Sequence, residues 1–183
     1  MAGIRKVTLA RDLQSVLDQI RPTPRSGLGE GMDECYPNLY VGGLVAARDK
    51  ACLQKHGITH VLNTAEGNDV TAVGTGGKYY EDVNIKYLGM KLVDMPSENV
   101  ARFFTVGADF IEDALSSGGK VLVHCLMGIS RSATIACAFL MLKRNMCALE
   151  ALTTLRKNRA IFPNEGFLQQ LAELDNNLRS QRK

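Results

Sequence analysis

Cys125 and Arg131 stand six residues apart in LVHCLMGISRSA, residues 122–133. A thiolate is a strong nucleophile, and a guanidinium presents a planar fork of donors that matches two oxygens of a phosphate. The stretch reads as a short apolar strand ending in His-Cys, a loop containing Gly128, and Ser130-Arg131 opening a helical pattern. A helix that opens near Ser130 offers unpaired N–H groups and the positive end of its dipole, and a tight loop can turn successive amides inward as a nest. Gly128 supplies the backbone freedom such a turn needs. These groups favour the thiolate, so the Cys125 thiol is expected below its ordinary pKa. Ser130 is placed to donate a hydrogen bond to the sulfur as it leaves. The chemistry this predicts is attack by Cys125 on a bound oxyanion. The alternative, a buried core thiol, fits Cys137 far better, since that residue lies inside the apolar run ATIACAFLML.

A Cys-His protease arrangement is disfavoured by strand geometry. Adjacent strand residues face opposite sides, so His124 cannot readily serve Cys125 as a base. His124 is expected to brace the loop through the backbone instead. His56 and His60 read as surface or core residues rather than ligands.

The elements that would carry this loop alternate along the chain. Leu9, Leu13, Val16, Leu17 and Ile20 recur at helical spacing after Thr8, a candidate N-cap. RPTPRSGLGEG (21–31) reads as a flexible connection. NLYVGG, ITHVLNTA, IKYLGMKLVDM and KVLVHC read as strands. LVAARDKACLQKHG and VARFFTVGADFIEDALSSGG read as helices between them, with a glycine-rich loop at 66–78. Three helical stretches follow, roughly 130–145, 148–159 and 165–179, with Asn164 a good N-cap for the last. The expected fold is α/β, with a central, mostly parallel sheet flanked by helices and a phosphate-binding loop between a buried strand and a helix. In such sheets ligands bind beyond the carboxyl ends of the strands, where Cys125 sits. Residues 1–32 are expected to form an N-terminal helix with its connection, ahead of one catalytic domain over 33–183.

Composition sets the outer bounds. The chain has 183 residues, 45% of them apolar and 22% charged, with a net charge of +3, as in an ordinary globular domain. So small an excess gives no reason to expect a nucleic-acid partner. Five cysteines without a CxxC pair or paired histidines argue against a disulfide framework or a zinc site, and for a reducing cytoplasmic or nuclear setting. The N-terminus lacks a signal-like apolar core, Ala2 stands where myristoylation needs glycine, and no membrane span is expected.

The residues also resemble a known family. HCLMGISR matches the HCxxGxSR signature of cysteine-dependent tyrosine phosphatases, and NLYVGG, HGITHVLNTAEG, YYEDVNIKYLG, ADFI and FPNEGFLQQL are similar to the small atypical dual-specificity phosphatases of the VHR type. The resemblance covers roughly residues 33–180. LEALTTLRKNRAIFPNEGFLQQL also resembles a relative whose phosphatase domain has lost its cysteine, whereas this chain keeps Cys125 and Arg131. The resemblance implies that Cys125 forms a phosphocysteine. It implies that Arg131 and the loop amides of Leu126, Met127, Gly128, Ile129, Ser130 and Arg131 hold the phosphate. Ser130 would assist thiolate departure, and Asp94, some thirty residues before the nucleophile in LGMKLVDMPSEN, would be the general acid. Asn164 would support the loop. Arg159 is the matching position for a second-phosphate site, with Arg156 and Lys157 beside it; a solvated helix end is the competing reading. No metal or cofactor is implied. Expected partners are phosphorylated proteins, doubly phosphorylated kinases among them. The rival functions are a phosphoprotein-binding module and a thiolate phosphatase acting on a non-protein ester. Leu126 and Met127 offer no cations to an inositol phosphate, which disfavours a lipid substrate.

Overall fold

The computed structural model describes residues 7–22 and 31–181. Its centre is a five-stranded sheet of β1 (Met32–Tyr36), β2 (Leu39–Gly42), β3 (His60–Asn63), β4 (Lys86–Gly89) and β5 (Val121–His124), in the order β1-β2-β5-β3-β4. β2, β5, β3 and β4 are mutually parallel, and β1 alone runs antiparallel, against β2. The mostly parallel sheet is as the alternation of strands and helices predicts. β1 was not expected: MDECY carries two carboxylates and lacks an apolar run, and it is a strand because it hairpins onto β2.

The period of two along each strand decides what lies on either side. Leu39 and Val41, Leu62, and Val121 and Val123 face the larger core, while Tyr40, Val61 and Leu122 face the smaller one. The larger face is covered by α1 (Ala10–Gln19), α4 (Phe104–Ser116), α5 (Arg131–Lys143), α6 (Ala148–Asn158) and α7 (Glu165–Gln181). The smaller is covered by the short helices α2 (Leu44–Arg48) and α3 (Lys50–Lys55) and by a 3₁₀ turn over Gly77–Val83. β5 is therefore buried on both faces, and it places Cys125 at the carboxyl edge of the sheet centre.

Several boundaries differ from those the sequence suggests. The helix expected over 44–57 is broken at Asp49, whose side chain accepts from the Cys52 N–H and so starts a second helix. The strand at IKYLGMKLVDM ends at Gly89, freeing the following residues to form the site. Thr8 does not cap α1. Leu9 stands at that position, with its N–H held by Asp12, and the Thr8 hydroxyl donates to the buried Asp175 (2.6 Å). α1 also shares the domain core, burying Leu13 and Leu17, while Arg156 donates to the carbonyls of Leu17 and Ile20 at its end. The connection expected over 21–31 lies largely outside the described residues. No described helix is long and apolar enough to cross a membrane.

Candidate active site

The loop from Cys125 to Ser130 turns back on itself because Gly128 adopts φ +69°, and a Cβ there would collide with the Gly42 carbonyl at the end of β2. That turn aims the Gly128 N–H at the Cys125 sulfur (3.2 Å). The Ser132 hydroxyl, in the first turn of α5, lies 3.4 Å from the same sulfur. Burial pushes the Cys125 thiol up, yet the Ser132 hydroxyl and N–H, the Arg131 charge and the Ile129 N–H together outweigh it. The thiol is held below its ordinary value of 9.0. Burial wins at the other cysteines whose shift is resolved, pushing Cys35 to about 12 and raising Cys137 and Cys147. Cys125 is thus the cysteine built to be ionised. Cys137 is fully buried in the core, as its apolar surroundings predict.

Arg131 opens α5 and is only 3% exposed. Its Nη1 donates to the Leu92 carbonyl and its Nη2 to the Thr71 carbonyl, both at 3.0 Å, so the fork is fixed at both terminal nitrogens. Its Nε is buried without a hydrogen-bond partner and lies 3.9 Å from Asp94 Oδ2. A charged N–H left unsatisfied in a cleft is a strong oxyanion donor.

Asp94 sits on the turn that follows β4. Its Oδ1 accepts from the Ser130 hydroxyl (2.7 Å) and from Asn164 Nδ2 (2.9 Å). Both donors occupy one oxygen, leaving Oδ2 to face Arg131 and the cleft. Asn164 also caps α7, accepting from the Phe167 N–H at 3.0 Å, so cap and loop support are one residue. Asn164 N donates to Ser130 Oγ, closing the triangle (3.2 Å). Together these residues line a cleft of about 530 Å³ with Thr71, Leu126, Met127, Ile129 and Phe162.

Two sequence expectations need correction. Ser130 was expected at the sulfur, but its hydroxyl is given to Asp94, and Ser132 stands beside Cys125 instead. The reason is helical phase: Ser132, one residue beyond Arg131, turns back toward the end of β5. The second hydroxyl in SRSA is the signal the sequence offers for this. Arg159 was open to two readings, a second-phosphate position and a solvated helix end, and its contacts match neither. Its Nη1 is instead paired with Asp33 on β1 (2.7 Å), its Nε donates to the Gly128 carbonyl (2.7 Å) and its Nη2 to the Met127 carbonyl (3.1 Å). The guanidinium is a strut behind the phosphate loop, with its charge matched by a carboxylate. Arg156 is likewise turned to the carbonyls of Leu17, Ile20 and Ile161. His124 is fully buried, with Nδ1 3.3 Å from the Cys125 carbonyl, and burial lowers its pKa to about 4. It braces the loop as a neutral ring. The carbonyls of Thr71 and Leu92 had no signal in the sequence, because a backbone acceptor has no residue type.

The description "Dual specificity phosphatase, catalytic domain" matches residues 39–177. Among solved structures, the human tyrosine phosphatase-like serine/threonine/tyrosine-interacting protein is 34% identical, across 80% of this chain and 96% of its own, with a TM-score of 0.66. DUSP15 is 32% identical, across 84% and 95%, with a TM-score of 0.65. A mouse putative dual specificity phosphatase, crystallised with zinc tungstate, is 25% identical across 86% and 94%, with a TM-score of 0.74.

Proposed function

The chain belongs to the dual-specificity phosphatase catalytic-domain family and is a phosphatase, and we propose that it hydrolyses phosphotyrosine and phosphoserine or phosphothreonine in proteins through a phosphocysteine. The observation that carries this is the Cys125 thiol, lowered by Ser132, Arg131 and the loop amides at the floor of a cleft whose unsatisfied donor is Arg131 Nε. In the first step the thiolate attacks phosphorus, an S–P bond forms, and the ester O–P bond breaks. Arg131 and the inward amides of the loop hold the equatorial oxygens, where charge builds. Asp94 gives its proton from Oδ2 to the departing oxygen, because Oδ1 is occupied by Ser130 and Asn164. In the second step Asp94 takes a proton from water, whose oxygen attacks phosphorus, and the S–P bond breaks. Ser132 then donates to the leaving thiolate.

Two relatives supply support and a rival. The mouse protein crystallised with tungstate, a tetrahedral oxyanion, is in keeping with a phosphate loop. The human tyrosine phosphatase-like serine/threonine/tyrosine-interacting protein supports the rival reading, a phosphoprotein-binding module. Retention of Cys125 with a lowered thiol pKa favours turnover. Five free cysteines support a reducing compartment, the cytoplasm or nucleus.

The deciding experiment is hydrolysis of paired phosphotyrosine and phosphothreonine peptides by wild type and Cys125→Ser, with and without vanadate. Turnover of both peptides, lost in the variant and blocked by vanadate, is the expected result. Binding without turnover by reduced wild type would favour the reader instead.

A further inference from the structure

The mouth of the cleft has an unusual composition. Among the described residues that line it, Arg131 is the only cation, and the proposed mechanism gives that charge to the phosphate being cleaved. Arg159, behind the loop, is paired with Asp33 and donates to the Gly128 and Met127 carbonyls. The exposed acid at the mouth is Asp94, and Asp69 stands close enough to feel Arg131. Against this, Met127 is 64% exposed and Phe162 46%, and both line the cleft. Val93 and Met95, on either side of Asp94, and Val70, beside Thr71, are exposed as well. Single exposed apolar residues need no explanation, but most of the large ones described on this protein gather on the four segments that frame one cleft.

From this geometry we infer that the enzyme selects singly phosphorylated segments whose residues next to the phosphorylated side chain are apolar. The inference rests on the phosphatase reading above and names its substrate class. The phosphate anchors the segment at Cys125 and Arg131, which brings the flanking side chains over Met127 and Phe162. An aliphatic flank there removes apolar surface from water on both partners. A glutamate or a second phosphate meets no further cation among the described residues that line the cleft and faces the Asp69 carboxylate, so it gains nothing there and is repelled. Using the second-phosphate position would require breaking the Arg159–Asp33 pair, which also supports the loop.

The test uses three peptides with one phosphotyrosine core: leucine on both sides, glutamate on both sides, and a second phosphate two residues away. Wild type is expected to show kcat/KM about tenfold higher for the leucine peptide than for either other, the worth of one partly buried apolar side chain. Phe162→Ala should shrink that ratio, and Met127→Lys should erase or reverse it. Equal or higher kcat/KM on the glutamate or doubly phosphorylated peptide overturns the inference. Failure of the phosphatase reading shows separately, as no hydrolysis even of p-nitrophenyl phosphate. In that event the Kd of the Cys125→Ser protein for the same three peptides decides: a leucine preference upholds the surface, and equal affinities sink it.

Discussion

The Ser132 hydroxyl lies 3.4 Å from the Cys125 sulfur, while Ser130, two residues earlier, gives its hydroxyl to Asp94 at 2.7 Å. In the proposed mechanism the two serines flanking Arg131 thus serve different ends of the reaction, Ser132 the thiolate and Ser130 the acid.

Ser132→Ala should raise the Cys125 pKa, because Ser132 supplies the foremost of the contacts that lower it. The rate of Cys125 alkylation by iodoacetamide, followed against pH, reads this directly. Wild type should titrate with a midpoint below 9.0, the variant with a higher one. Loss of a hydrogen bond to a charged group should also slow turnover by about 10- to 100-fold. Ser130→Ala should leave the alkylation midpoint much closer to wild type; the same rise in both variants would refute the division of labour.

Asp94→Asn tests the other end. It should cost about 10²- to 10⁴-fold on phosphothreonine, whose alkoxide leaves poorly, and far less on p-nitrophenyl phosphate, whose phenolate needs little protonation. Phosphate affinity should survive, since the oxyanion donors are untouched. Equal losses on both esters would count against Asp94 as the acid.

Much of this site was legible because its chemistry is compressed into one run. Cys125, Gly128 and Arg131 are forced together by a strand, a turn and a helix start, so spacing alone predicts their meeting. Asp94 and Asn164 come from distant segments; Asn164 is legible as a helix cap, but only the family resemblance connects either residue to the loop. The errors share a physical cause. Ser130 and Ser132 differ by a rotation about the α5 axis, and sequence carries no phase for a helix whose exact start is unknown. The role of Arg159 had no signal in the sequence because its partners are two backbone carbonyls and Asp33 on β1, a strand that only tertiary pairing creates. In the fold, the buried strand KVLVHC was plain from its apolar run, whereas the break at Asp49 depended on a side-chain cap inside an otherwise helical pattern.

His124 makes a prediction about stability rather than rate. Its ordinary value is 6.5 and burial lowers it to about 4, so between those pH values the unfolded chain binds a proton that the folded protein refuses. The stability contributed by the neutral ring is therefore full above pH 6.5 and is lost as pH falls toward 4, about 3 kcal/mol in all. Urea unfolding of wild type and His124→Gln at pH 7 and pH 4.5 measures it. The variant should lose markedly less stability over that interval. Parallel losses would mean that other groups drive the acid sensitivity.

The position of Asp94, the proposed acid, depends on a residue that carries no functional group. Gly166 lies in the first turn of α7, and a Cβ there would strike the Pro96 carbonyl, two residues from Asp94. The same helix holds the next part of the segment through Gln170, which donates to the Glu98 carbonyl (2.8 Å) and accepts from the Ala101 N–H (2.9 Å). Because Pro96 meets the helix with backbone rather than a flexible side chain, Gly166→Ala should push the acid-bearing turn outward. The expected result is a loss of about tenfold or more on phosphothreonine peptides, on the scale of misplacing a general acid. Alkylation of Cys125 should keep its wild-type pH dependence, since α5 and the phosphate loop are not displaced. Gly166→Ser, of similar bulk at Cβ, should behave alike, whereas Gln170→Glu should cost less because its oxygen can still accept from Ala101. If Gly166→Ala slowed p-nitrophenyl phosphate and phosphothreonine hydrolysis equally, or shifted the Cys125 titration, the damage would be general and α7 would not be the seat of the acid.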